Sequence, residues 1–264
     1  MELLVQAGNY PSVLHNRKLL ADQLKSMHLA LFSYHDVKTN DTEEAWEHLN
    51  KGHGYKMSTI QPYNFQLEQQ KFDTVKKIFN RSFFPENAGS QSSKLIFIVG
   101  FPRSGSTLLE RVLDAAHPLI VGTGEDSVFN GMLGEIRDAI VKANVSGSPQ
   151  MLHNVLNEKA DKVVRLVEER WELIDKQKEN DSVEGAEDKI DENDSSPQQY
   201  VDKMLTNYMN IGFIHMFFPK ALILHVVREP MDTVFSAFKQ DFPAGGLDYT
   251  SDFKVLQRHR DSLG

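Results

Sequence analysis

The sequence predicts an α/β domain with a mostly parallel sheet flanked by helices, preceded by a small all-helical segment. Three observations carry this. The apolar run Leu95–Gly100 has the length of a buried strand. It ends in glycine and passes a second glycine, Gly105, into an amphipathic pattern at Leu108, Leu109, Val112 and Leu113. Beyond it, strand-length and helix-length segments alternate, which implies parallel strands joined by helical crossovers. Before it, from about residue 17 to 80, apolar residues recur mainly at helical spacing.

The helical segment is assigned to residues 1–84. Leu19, Leu20, Leu24, Met27, Leu29, Leu31 and Phe32 form the apolar pattern of its first helix. Asn40-Asp41-Thr42 reads as a turn and helix cap, with Glu43 and Glu44 in the first turn that follows. A second helix continues through Ala45, Trp46, Leu49 and Gly52. Leu29, Ser33, Ala45 and Leu49 sit where a tetratricopeptide helix pair places its packing residues. A generic helical hairpin fits these positions equally. A further helix is expected from Phe65 to Phe79.

The polar, turn-rich stretch Phe84–Ser93 marks the domain boundary, and the α/β domain is assigned to residues 94–264. Its expected order begins with a strand at Leu95–Gly100, a helix at Ser106–Ala116 and a short strand at Leu119–Val121. Helices at Val128–Val141 and Met151–Leu173 follow. The Glu-, Asp- and Ser-rich stretch Gln177–Gln199 reads as a flexible acidic loop. A helix at Val201–Phe217, a buried strand at Ala221–Val227 and a helix at Met231–Gln240 complete the order.

Composition narrows the function. A net charge of −8 opposes a broad basic surface for nucleic acid, so any bound anion must be held by local cations. With no cysteine, disulfides, thiolate catalysis and cysteine-ligated zinc are excluded. No apolar run reaches the roughly 20 residues that cross a bilayer. Met1–Gln6 lacks the layout of a signal peptide. A soluble, cytoplasmic protein is the expectation.

Strand, tight loop and helix start together make an anion site, because the first amides of a helix lack intrahelical acceptors and its dipole adds positive potential. Gly100 to Gly105 followed by Ser106-Thr107 matches the nucleotide phosphate loop, except that Ser106 stands where that loop carries lysine. The missing lysine argues against hydrolysis of ATP or GTP and weighs against a kinase. Arg103 supplies a planar, bidentate cation instead. Two further segments should converge on this loop: Gly122-Thr123-Gly124-Glu125-Asp126, and Arg228 with Ser236, eight residues on. Arg228 and Ser236 could grip a second phosphate. Alone, Arg228 fits a strand-end ion pair with Glu229 or Asp232.

The segments Ile98–Leu109 and Val227–Asp232 resemble the two nucleotide-binding signatures of sulfotransferases, above all the tetratricopeptide-containing and protein-tyrosine types. The resemblance runs from about Leu29 to Tyr249. It implies the donor 3′-phosphoadenosine 5′-phosphosulfate and transfer of its sulfuryl group to a hydroxyl, on a peptide tyrosine or a small alcohol or phenol. Arg103, Ser104, Gly105, Ser106 and Thr107 would hold the 5′-phosphosulfate, and Arg228 and Ser236 the 3′-phosphate. Gly124-Glu125 resembles the segment that supplies the base in the tyrosylprotein branch. The alternative for Glu125 is a cap on the helix near Val128, with Asp126 as substitute base. Lys203 resembles the family's lysine at the bridging oxygen of the leaving phosphate, its alternative being a solvated surface lysine. His215 and His225 are expected to be packed side chains. No helix carries a clear His/Asp/Glu ligand spacing, and no metal is expected. The family normally continues past the point where this chain stops at Gly264, so a C-terminally incomplete domain is expected. A non-catalytic nucleotide- or peptide-binding paralogue is the alternative reading.

Overall fold

The computed structural model describes residues 11–79, 87–117, 119–125, 127–145, 147–181, 198–204, 206–243, 245 and 247–263. They form two compact units, one made of the described residues up to 69 together with those from 229 onward, the other of residues 70–228.

In the first unit, helix α1 (Pro11–Tyr34) runs into a π-helical turn at His35–Thr39. Asn40 closes that turn in the left-handed conformation, φ 53°. Helix α2 (Thr42–Met57) begins at Asp41, whose carboxylate accepts from the Glu44 amide at 3.2 Å, as the cap signal predicts. Ala45 and Leu49 are buried, and a Cβ on Gly52 would lie 2.9 Å from Leu29, so the two helices approach closely there. Helix α3 spans Phe65–Ile78.

The second unit holds the sheet. Strands β1 (Leu95–Gly100), β2 (Ile120–Gly122), β3 (Gln199–Asp202) and β4 (Leu222–Val226) are ordered β2-β3-β1-β4, with every ladder parallel. Between them run α4 (Ser106–Ala116), α5 (Val128–Val145), α6 (Pro149–Asp181), a 3₁₀ turn at Asn207–Asn210 and α7 (Ile211–Phe217). β1 is central, which explains its unbroken apolar run: both faces are covered. Ile96 and Ile98 pack with Val201 against Leu109 and Leu113 of α4. Leu95 and Phe97 face the larger core of α5, α6 and α7, where Phe97, Phe129, Phe217 and Phe218 cluster. Burying each such side chain stabilises the fold by about 1.5–3 kcal/mol.

Four expectations are corrected here. Val201–Phe217 is not one helix. Its first two residues finish β3, and helix resumes only at Asn207. Pairing with β1 and β2 overrides the helical spacing of the apolar residues downstream. β4 is not buried: among the described residues it is the outer strand, paired with β1, and Leu222 is half exposed. His215 and His225 are exposed rather than packed, the first on α7 and the second on this edge strand. The acidic stretch is shorter than expected, since α6 continues to Asp181. Residues 182–197, Asp126 and part of the Phe84–Ser93 connection lie outside the described residues.

Helix α8 (Pro230–Phe238), a 3₁₀ turn at Asp248–Ser251 and α9 (Phe253–Leu263) belong to the first unit. Trp46 of α2 packs at a tilt against Phe235 and Phe238 of α8 and meets Phe253 of α9 edge-on. No described helix is long and apolar enough to cross a membrane.

Candidate functional site

Parallel strands deliver their carboxyl ends to one edge of the sheet, and the loops that follow β1, β2 and β3 all lie there. After β1 the chain turns through Phe101–Gly105 into α4. Arg103 and Gly105 both have positive φ, 69° and 109°. Such a conformation is cheap for Gly105 and strained for Arg103, and the Ser104 amide closes the turn on the Phe101 carbonyl at 3.1 Å. The first helical bond of α4 runs from the Leu109 amide to the Gly105 carbonyl. Ser106, Thr107 and Leu108 therefore keep amides with no acceptor inside the helix, and no side chain caps them. Ser104 is buried, and its hydroxyl makes no hydrogen bond among the described residues. Arg103 is exposed.

Lys203 follows directly on β3. It is buried, which removes the surface-lysine alternative. Its ammonium donates to Thr107 Oγ1 at 3.2 Å and to Glu125 Oε1 at 2.9 Å, and Glu110 Oε2 lies 3.9 Å away. One lysine thus links the start of α4 to the loop after β2. Glu125 is 56% exposed at its side chain. It does not cap α5: Ser127 does, its hydroxyl accepting from the Asn130 amide at 3.1 Å.

Two acids on α4 hold the β2 loop, and the sequence reading missed both. Glu110 Oε1 accepts from the Gly124 amide at 2.6 Å, and Asp114 Oδ1 accepts from the Gly122 amide at 3.1 Å. Their i, i+4 spacing puts them on one helix face. A Cβ on Gly122 would come within 2.9 Å of Glu110 Cγ, so glycine there leaves room for the carboxylate. The spacing of the acids opposite a Gly-x-Gly loop was the available signal.

Beneath Lys203 lies a polar network that was also missed. Asp202 accepts from Ser127 Oγ at 2.5 Å, from Asn207 Nδ2 at 2.8 Å and from the Met204 amide at 3.1 Å. Asn130 donates to Asn207 Oδ1 at 2.8 Å and accepts from Asn210 at 2.9 Å. Asp202, Asn207, Asn210 and Ser127 are all buried. A satisfied buried network of this kind is rigid, and it fixes the backbone on which Lys203 stands. Beside it a cavity of about 60 Å³ is lined by Phe97, Phe129, Trp171 and Tyr200, with Arg170 and Asp202 as its charged groups.

The structure thus brings Thr107, Glu125 and Lys203 together, with Ser104, Gly105 and Ser106 in the adjoining loop. Arg228 is exposed just after β4. Ser236 is half-buried on α8. Each belongs to a different compact unit.

A family model described as the sulfotransferase family matches residues 96–263, more than half of the chain. An uncharacterized protein of Aquifex aeolicus (strain VF5) is 26% identical over 243 residues, which cover 87% of this chain and 29% of that relative. The chain therefore spans less than a third of the length of that relative. No solved structure matches.

Proposed function

The chain belongs to the sulfotransferase family, and we propose that it moves a sulfuryl group from 3′-phosphoadenosine 5′-phosphosulfate to the hydroxyl of a peptide tyrosine or a small alcohol or phenol. The observation that carries this reading is Lys203, buried, with its ammonium bonded both to Thr107 at the anion-binding helix start and to the carboxylate of Glu125. In this reading the amides after Gly105, with Arg103, Ser104, Ser106 and Thr107, hold the 5′-phosphosulfate. Arg228 and Ser236 hold the 3′-phosphate. The helical front end acts as a tetratricopeptide-type pair, which the close approach at Gly52 supports.

The chemistry balances within these groups. The acceptor oxygen attacks sulfur from the side opposite the leaving phosphate. An O–S bond forms and the bridging S–O bond breaks. The acceptor proton passes to Glu125, and the electron pair of the broken bond stays on the bridging oxygen, where Lys203 stabilises the developing charge. Adenosine 3′,5′-bisphosphate leaves.

A thermal-shift comparison of adenosine 3′,5′-bisphosphate with ATP tests the donor assignment, because a ligand of the native state raises stability with its affinity. The bisphosphate is expected to stabilise the chain and ATP to do so far less. Equal or inverted shifts overturn the donor assignment. Transfer of labelled sulfate to a panel of phenols and tyrosine peptides tests the reaction. Nucleotide binding without transfer favours the non-catalytic paralogue.

A further inference from the structure

The π-helical turn between α1 and α2 carries His35, and the first turns of α2 carry Glu44 and His48. One ring nitrogen of each histidine and one carboxylate oxygen of Glu44 all lie within 4.8 Å of one another. Glu44 and His48 are an i, i+4 pair, so one helix face presents both. That spacing is a ligand pattern which the sequence reading passed over. His48 Nε2 lies 3.9 Å from Glu44 Oε2. The other nitrogen of His48, Nδ1, is 2.8 Å from His28 Nδ1 on α1. His28 is itself stacked on Tyr55. Metal-bound histidines usually engage a second residue through the nitrogen that does not bind the metal, which fixes the tautomer and the ring orientation. The His28–His48 contact supplies that arrangement. His35 Nδ1 contacts Thr39 Oγ1 at 3.3 Å, the same kind of support.

We infer that His35, Glu44 and His48 form a binding site for a borderline divalent transition metal, Zn²⁺ being the probe of choice, with His28 as a positioning residue. The inference is independent of the sulfuryl-transfer reading. Two imidazoles and one carboxylate are a donor set that suits Zn²⁺, with solvent in the remaining position. Metal–ligand bonds of about 2.0–2.2 Å require ligand atoms to close to somewhat over 3 Å. Glu44 is exposed and can swing inward, and the half-buried His35 ring, stacked on the His48 ring at 5.5 Å between centroids, has to tilt for that closure. The ion would tie the end of α1 to the start of α2. A π-helical turn is a frequent marker of functional positions.

The test is isothermal titration of the metal-free, untagged full chain with Zn²⁺, paired with Co²⁺ absorption as a report of coordination. One equivalent is expected to bind, and Co²⁺ is expected to give ligand-field bands of a low-coordinate site. The chain has ten histidines, so adventitious surface binding must be separated from the site. Glu44→Gln and His35→Ala are each expected to weaken Zn²⁺ binding more than tenfold, and His28→Gln by about 10- to 100-fold. His215→Ala, at an exposed histidine of the other unit, is expected to leave the affinity unchanged. Circular dichroism in chelator shows whether each variant keeps its helix. Glu44→Gln changes one exposed side chain and serves if His48→Ala fails to fold. Absence of stoichiometric Zn²⁺ binding, or binding that His35→Ala and Glu44→Gln leave intact, overturns the inference.

Discussion

Replacing Glu125 by glutamine separates a catalytic base from a structural ion pair by the mismatch of two magnitudes. Glutamine keeps the volume and can still accept a hydrogen bond from Lys203, but it carries no charge and takes no proton. Glu125 is 56% exposed, and an ion pair with an exposed partner contributes about 0.2–1 kcal/mol. Lys203 also retains Thr107 at 3.2 Å and Glu110 at 3.9 Å. Stability should therefore fall by less than about 1 kcal/mol. Loss of general-base catalysis typically slows turnover by about 10²–10⁴-fold, which at roughly 1.4 kcal/mol per tenfold is about 3–5 kcal/mol in the barrier. Urea unfolding measures the first quantity and labelled-sulfate transfer the second. Calorimetry with adenosine 3′,5′-bisphosphate should show unchanged affinity. Turnover at the wild-type rate removes Glu125 as the base. A stability loss as large as the kinetic one would show that the pair holds the loop rather than doing chemistry.

Arg228→Ala is expected to weaken adenosine 3′,5′-bisphosphate binding by about 10- to 150-fold, the worth of one charge-assisted bond of roughly 1.5–3 kcal/mol, and unchanged affinity removes it from the site. Asp202→Ala strands the donors of Ser127 and Asn207 and should destabilise by about 2–4 kcal/mol in urea unfolding; a change below about 0.5 kcal/mol, the scatter of surface substitutions, contradicts a rigid network. The first unit should lose stability in acid through His53. Its ring is buried and its Nε2 donates to the Phe238 carbonyl at 2.6 Å. Burial lowers its pKa, the Phe238 bond opposes, and Lys56, Asp241 and Lys25 act more weakly. With the folded value depressed, the stability is fully present above the unfolded value of about 6.5 and declines as pH falls below it, by at most about 1.4 kcal/mol per pH unit. Unfolding midpoints between pH 7.5 and 5, compared with His53→Gln, measure this; parallel curves would refute it.

The sheet was legible where burial is symmetric and long, and illegible where it is short. β1 announces itself because five consecutive residues are buried between two layers. β3 has four residues, Gln199–Asp202, too few to display a period, and it exists because β1 and β2 offer ladders on both sides. The helical spacing downstream of Val201 then extended itself backwards over it. The same error put Lys203 inside a helix and left its burial unseen, so the resemblance alone singled it out. The glycine loop and Thr107 were readable from spacing, because a strand–turn–helix has local requirements. Glu110, Asp114 and the Asp202 network were not, since their roles depend on which loop the crossover brings opposite α4.

Charge gives these residues an order of events on the proposed reading. Lys203 faces two carboxylates of different standing. Glu110 is buried and engaged by the Gly124 amide, so it stays where it is whatever Lys203 does. Glu125 is exposed, and the bond that ties it inward comes from Lys203. A phosphosulfate arriving at the start of α4 competes for that ammonium with more charge than a single carboxylate carries. As Lys203 turns towards the bridging oxygen, Glu125 loses its partner and regains a free oxygen. An oxygen that already accepts from an ammonium is not open to an incoming hydroxyl. On the proposed reading, donor binding frees that oxygen for the acceptor, and an acceptor hydroxyl that arrives first meets a carboxylate still engaged by Lys203.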